Sequence, residues 1–200
     1  MKYRFTDNEL KIILKNLVIV VDIREKVNKH IIDYLEKKKK RYVVQKLDQG
    51  DYSAFIESNE ETKKLGVLRD WYFNNDIAIE RKNSVDELAQ SFVDRKRFEA
   101  EFLRLDKYKT KTILLVEDSQ GYENILKGKY RSRYTPASFT ASLETFTARY
   151  GLSVMFVNKT LSGYKIYTAL KYSIREILKN KGFIDFEDEK VQEIFNEKVL

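Results

Sequence analysis

Glu80 and Lys82 stand two residues apart, directly after the apolar, β-prone run Ile77-Ala78-Ile79. Side chains alternate along a strand, so Glu80 and Lys82 share one face and Arg81 takes the other. A carboxylate and an ammonium then stand side by side at the end of a rigid element. The carboxylate suits a hard divalent cation, and the ammonium suits orienting or activating an attacking water. Together they are parts of a metal-assisted phosphodiester hydrolysis. Asn83 and Ser84 offer helix caps, and Val85, Leu88 and Phe92 follow at helical spacing. Alone, a Glu-x-Lys triplet more often marks a solvated strand end with a surface ion pair. Its meaning rests on the residues upstream and downstream.

Two upstream segments carry acids in similar places. Leu17 to Val21 (LVIVV) is a continuous β-branched run that reads as a buried strand, and it ends in Asp22-Ile23-Arg24-Glu25. Open α/β sheets place their sites at the carboxyl ends of such strands. Further on, Gly50 permits a tight turn that delivers Asp51 to the start of a strand through Tyr52–Ile56.

The composition narrows the chemistry. The chain has 200 residues, no cysteine and one histidine, His30. A thiolate site and a histidine-built metal cluster are therefore excluded within one chain, and a metal site would be built from carboxylates. Oxygen ligands favour Mg²⁺ or Mn²⁺. The formal charge of +7 favours an anionic partner, with DNA or RNA first. No run approaches the roughly 18 apolar residues of a membrane span, and the first residues lack a signal-peptide layout. The expected location is wherever DNA is, in cytoplasm, nucleoid or nucleus, and neither secreted nor in a membrane.

The elements that must hold these residues can be read in order. Residues 1–16 form a lead-in, with a Thr6/Glu9 capping box and an apolar stripe of Leu10, Ile13 and Leu14. Val27 to Leu35 gives a helix containing His30, read as a surface or partly packed residue. The basic run Lys37–Arg41 complements that helix's C-terminus or contacts phosphate. Tyr42 to Lys82 reads as antiparallel strands, with residues 59–70 as an exposed loop or arm. One helix is expected from Ser84 to Lys107, with Arg95, Lys96, Arg97 and Arg104 off its apolar side. Ile113–Val116 is a buried strand. Residues 121–135 look like a loop in which Lys127, Lys129, Arg131 and Arg133 alternate with tyrosines, suited to phosphate contact and base stacking. Pro136 opens a helix with Phe139, Leu143 and Phe146 inside, and Gly151 ends it. A strand at 152–157 and a helix at 161–178 follow. The tail from Asp185, with Phe186, Val191, Ile194 and Phe195, reads as an acidic amphipathic helix. The expected fold is α/β, a mixed central β-sheet flanked by helices.

Taken together, the motifs are Asp22-Ile23-Arg24-Glu25, then Gly50-Asp51-Tyr52, then Glu80-Arg81-Lys82-Asn83-Ser84-Val85-Asp86. In this order they resemble the XPF-type structure-specific DNA endonucleases, a branch of the restriction-endonuclease-like nucleases. The resemblance runs through Leu88, Ser91, Asp94 and Arg95 to Ile113–Glu117 and covers roughly residues 17–178. It implies a restriction-endonuclease-like nuclease fold at 17–180, between the lead-in and the acidic helix at 181–200.

The roles that follow are implied by this resemblance. Asp51, Glu80 and the Arg81 backbone carbonyl are metal ligands, and Lys82 is the water-orienting base or electrostatic stabiliser. Asp22 completes the acidic cluster, through a second metal or a water. Glu25 and Asp86 hold Arg24, Arg81 or Lys82 in place. Arg24, Arg95, Arg97, Lys127, Lys129, Arg131 and Arg133 contact DNA. The cofactor is Mg²⁺ or Mn²⁺. The substrate is branched, flapped or nicked DNA, cut to 5′-phosphate and 3′-hydroxyl ends in repair, recombination or replication. A homodimer is expected, and an accessory DNA-binding protein fits the lack of a Gly-hydrophobic-Gly hairpin signature after Leu178. The alternatives are a non-catalytic partner of an active nuclease, and a junction resolvase or restriction-type enzyme on the same fold.

Overall fold

The computed structural model describes residues 4–181; the acidic helix expected beyond them lies outside the described residues. Helix α1 (Asp7–Lys15) begins at the expected Thr6/Glu9 capping box and buries Leu10, Ile13 and Leu14. It leads into β1 (Leu17–Asp22), buried along its whole length. Helix α2 (Lys29–Lys37) follows and buries Ile31 and Leu35. Val27, expected on its apolar stripe, precedes the helix and is exposed.

Strand β2 (Tyr42–Gln45) pairs in parallel with β1. The antiparallel reading of Tyr42 is thus corrected: α2 forms a crossover, and the two strands it joins run the same way. Strand β3 (Tyr52–Ile56) is antiparallel to β1 and to β5 (Ile77–Lys82). The expected continuous strand from Trp71 is interrupted. A turn in which Asp76 and Ile77 both donate to the Phe73 carbonyl separates the short β4 (Trp71–Tyr72) from β5. Residues 59–70 are not an exposed arm. They hold a helical turn, α3 (Glu60–Lys63), capped by Asn59, and they bury Thr62, Leu65 and Val67 against the core.

The single helix expected at 84–107 is two helices, α4 (Val85–Val93) and α5 (Arg95–Lys107), broken at Asp94. Phe92 and Phe98 are six residues apart and would diverge by about 120° on one helix. The break brings them edge to face at 5.5 Å. Strand β6 (Lys111–Val116) then pairs in parallel with β5, and α6 (Gly121–Leu126) occupies the first part of the expected loop. Helix α7 (Pro136–Tyr150) opens at Thr135-Pro136 and ends at the left-handed Gly151, as its sequence signals. Strand β7 (Ser153–Phe156) and helix α8 (Ser162–Lys181) complete the described chain.

The sheet order is β2-β1-β3-β5-β6-β7, with β4 on the side of β3. All its long strands run one way except β3. The ends of β1, β5 and β6 and the start of β3 therefore lie at one edge. One sheet face packs Ile19, Val21, Ala54, Ile79 and Leu115 against α1, α2 and α8. The other packs Ala78, Leu114 and Val116 against the phenylalanines of α4, α5 and α7. This is the mixed, helix-flanked α/β sheet expected from the sequence. Among the described residues, no helix is long and apolar enough to cross a membrane.

Candidate active site

Strand parity decides which side chains meet. On β5, Ile77 and Ile79 face α1, α2 and α8, so Arg81 does too. Ala78 faces the other helices, and Glu80 and Lys82 follow it. The same alternation turns Asp51 and Asp22 to the face of Glu80, since Tyr52 and Val21 face away. Register then aligns them. Asp22 N–H donates to the Asp51 carbonyl at 2.8 Å, and Asp51 N–H donates to the Ile79 carbonyl at 2.9 Å.

Asp51, Glu80 and Lys82 line a cavity of about 400 Å³. Lys82 Nζ donates to Glu80 Oε1 at 2.7 Å and lies 4.9 Å from the centre of the Phe98 ring. Burial disfavours the Lys82 ammonium, but the Glu80, Asp51 and Glu101 charges outweigh it and raise its pKa. Lys82 is thus held as a cation. The Arg81 N–H donates to Asp51 Oδ2 at 2.7 Å. Burial, joined by the charge of Glu80, nevertheless pushes the Asp51 carboxyl well above its ordinary range.

Two crowded carboxylates in a partly closed cavity are the donor set that a hard divalent cation relieves. The Arg81 carbonyl adds to that set. Carbonyls alternate along a strand. Lys82 O accepts from Glu117, just past β6, and Ile79 O accepts from Asp51 on the opposite side, so Arg81 O takes the Asp51 side. Among the described residues there is no cluster of three or more His, Cys, Asp or Glu side chains placed to hold a metal. A cation here would rest on two carboxylates and backbone or solvent oxygens.

The remaining expectations divide. Asp22 is fully buried and does not line the cavity. Its carboxylate accepts from Arg24 Nε at 2.7 Å, Arg24 Nη2 at 3.0 Å, Arg24 N–H at 2.8 Å and Leu47 N–H at 2.6 Å. With its lone pairs so engaged, Asp22 positions Arg24 at the cavity wall instead of joining the acidic cluster. Glu25 does hold Arg81, accepting from Nη2 at 2.9 Å. Asp86 does not reach Arg24, Arg81 or Lys82: its carboxylate accepts the Arg131 N–H at 2.7 Å and tethers the 128–134 loop to α4.

Arg24 and Arg97 line the cavity, whereas Lys127, Lys129, Arg131 and Arg133 do not. Arg95 lies over the Phe146 ring at 5.3 Å. The tyrosines of the basic loop are not free to stack on bases. Tyr130 and Tyr134 pack on Phe139, and their hydroxyls bond the Tyr134 carbonyl and Ser142.

Two acidic groups, Glu101 and Glu117, and the partner of the partly packed His30 escaped the sequence reading. Glu101 lines the cavity, and its Oε2 is buried without a hydrogen-bond partner. Burial, joined by the Glu80 charge, raises its carboxyl. Its signal is its place three residues after Phe98, on the same face of α5. Glu117 accepts from Arg81 Nη1 at 2.7 Å, and His30 Nε2 lies 2.6 Å from its other oxygen. Glu25, Arg81, Glu117 and His30 thus form one linked polar row that runs inward from the cavity wall, and nothing local in the sequence joins His30 to it.

A helix-flanked mixed sheet with carboxylates, a lysine and arginines gathered at one edge defines the chain as a mixed α/β domain with its candidate site at the strand ends. The ERCC4 domain family matches residues 21–166, and the chain belongs to that family. In structure it is similar to XPF from Aeropyrum pernix, at 20% identity and a TM-score of 0.57, over 86% of this chain and 67% of that one. It is also similar to XPF from Aeropyrum pernix in complex with DNA, at 21% identity and a TM-score of 0.55, over 80% of this chain and 66% of that one. The chain spans about two thirds of the length of those proteins. No protein of curated function matches it in sequence.

Proposed function

We propose that this chain is a divalent-metal-dependent DNA endonuclease, with its nuclease domain at 17–180. The observation that carries the reading is the convergence of Asp51, Glu80 and Lys82 on one face of the sheet, in one cavity edged by Arg24 and Arg97. Membership of the ERCC4 domain family supports it, as does the structural likeness to a relative seen in complex with DNA. A phosphodiester entering the cavity would meet the cationic rim first. Asp51 and Glu80 would hold Mg²⁺ or Mn²⁺, which supplies Lewis-acid polarisation of a phosphate oxygen and a more acidic water.

Lys82 acts as a fixed positive charge. A protonated ammonium has no lone pair to take a proton, so it stabilises negative charge building on the phosphate and orients a water. The Arg81 N–H fixes Asp51, and Glu25 and Glu117 fix the Arg81 guanidinium. The substrate is branched, flapped or nicked DNA, and the working form is a homodimer, alone or with an accessory DNA-binding protein.

The test is cleavage of labelled flap, fork, four-way junction and plain duplex DNA with Mg²⁺ or Mn²⁺, comparing wild type with Asp51→Ala and Lys82→Ala. Removing one group that stabilises transition-state charge lowers the rate about 10²–10³-fold, and both variants are expected to show at least this loss. Binding of branched DNA without cutting by the wild-type chain would instead identify a non-catalytic partner. A sharp product from unbranched duplex would identify a restriction-type enzyme.

A further inference from the structure

At the edge of the sheet opposite the candidate active site lies a second concavity, of about 640 Å³. Its wall includes Leu17, the first residue of β1, whereas Asp22 at the other end of that strand adjoins the active-site edge. Five strand steps separate the two, about 17 Å. Helices α1 and α8 and the segment after α2 enclose the groove. Seven cationic side chains line it, and no acidic one does.

Three of these cations are neutralised from the rim. Lys15 pairs with Glu61, Arg41 with Glu57, and Arg175 with Asp7 and Glu176. The other four, Lys11, Lys39, Lys40 and Lys171, have no carboxylate partner among the described residues. Lys40 and Lys171 instead flank the Tyr167 ring, at 4.6 and 6.0 Å from its centre. An aromatic face holds an ammonium in place without cancelling its charge. Two residues past the end of α2 the chain turns at the left-handed Lys39, and Lys39 and Lys40 line the groove. A concave surface of unneutralised like charge focuses field outward and attracts a polyanion.

We propose that this groove binds the phosphate backbone of nucleic acid as a second contact surface, separate from the cleavage site. The proposal builds on the reading of the chain as a DNA-acting enzyme. A separation of about 17 Å equals the axial rise of roughly five base-pair steps of duplex DNA, at about 3.4 Å each. One arm of a substrate can therefore lie in the groove while another enters the cavity. The contacts are lysine point charges, so the surface reads backbone and not sequence.

The test measures binding of the full chain to a long labelled DNA without metal, so that cleavage plays no part. Wild type is compared with the triple variant Lys11→Gln, Lys39→Gln, Lys171→Gln across a range of salt. Each lost phosphate contact reduces the slope of log affinity against log salt by about 0.9, so the variant's slope should fall by about 2–3. Its affinity at low salt should drop roughly tenfold or more, while single-turnover cleavage at saturating DNA stays within about twofold of wild type. Thermal unfolding of the variant close to wild type assigns the loss to the groove and not to misfolding.

An unchanged slope overturns the proposal. So does tighter DNA binding by the variant, which would hand the groove to an acidic peptide such as residues 185–197 of this chain. The two readings separate cleanly. Loss of cleavage in Asp51→Ala with an unchanged groove slope leaves the active-site reading standing and removes this one. DNA binding with a reduced groove slope but no cleavage by wild type does the reverse.

Discussion

Glu101 is the residue whose environment is least comfortable without a ligand. One carboxylate oxygen is buried with no hydrogen-bond donor, and both burial and the neighbouring Glu80 charge raise its carboxyl. An unsatisfied buried acceptor is expensive unless something else in the working state meets it. Glu101 and Glu80 lie on one cavity with the Lys82 ammonium, so Glu101 adds negative charge where a cation would sit. Replacing it with glutamine keeps the shape and removes that charge. Groups that support a metal site from behind its ligands typically cost 10–100-fold in metal affinity when lost. Glu101→Gln is accordingly expected to need about tenfold more Mg²⁺ for half-maximal cleavage, with the rate at saturating metal within about threefold of wild type. A Mg²⁺ titration of cleavage reads this directly. An unchanged midpoint would make Glu101 a bystander of the cavity wall.

At the level of elements, the turn before β3 decides whether Asp51 arrives correctly. Gly50 has φ of +71°, and a Cβ there would lie 3.0 Å from the Ala78 Cβ and 3.3 Å from the Ile79 carbonyl. The left-handed backbone alone costs an L-residue about 1–2 kcal/mol. Gly50→Ala should therefore lower the unfolding free energy by at least that amount, read as a lower denaturation midpoint at an unchanged denaturant slope. Because the next residue is Asp51, cleavage should fall further than stability does, since a shift of about 1 Å in a reacting group costs up to 10²-fold. Equal losses in both would mean that the turn serves the fold alone. This turn was legible in the sequence because Gly-Asp is a local signal. So were the Thr6 cap, the Pro136–Gly151 helix and the face shared by Glu80 and Lys82, which follow from neighbours in the chain. Features set by distant partners were not legible. The parallel pairing of β2, the burial of Leu65 and Val67, the break at Asp94 and the His30–Glu117 contact depend on what packs against them. Asp22 ends β1 as the sequence signals, but its bond from Leu47 N–H depends on the loop after β2.

Across the whole molecule, the site's chemistry and the fold's stability pull in opposite directions. Asp22 stabilises the fold as a carboxylate. Burial disfavours its charge, but bonds from Arg24 and Leu47 outweigh this and lower its pKa. Its contribution is present above the ordinary carboxylate range and is lost as pH falls through its depressed folded value. Asp51 has the opposite sign. Burial and Glu80 raise its folded pKa, so the folded chain holds that proton more tightly than the unfolded chain does. Its contribution is present at low pH and is lost as pH rises from the ordinary carboxylate range through the raised value. At neutral pH without metal, Asp51 is therefore a net cost. Asp51→Asn removes it and keeps an oxygen to accept the Arg81 N–H. In a chelating buffer at neutral pH, Asp51→Asn should melt above wild type, by about 2–4 °C for each kcal/mol released. The gap should narrow as pH is lowered and close below the ordinary carboxylate range, where Asp51 is protonated in both states. Mg²⁺ should then raise the Tm of wild type, because binding to the folded state alone stabilises it, and should leave the variant nearly unmoved. A variant that melts below wild type at neutral pH in chelator would show that the Asp51 charge is already compensated within the fold. The case for a cation as its missing partner would then fall.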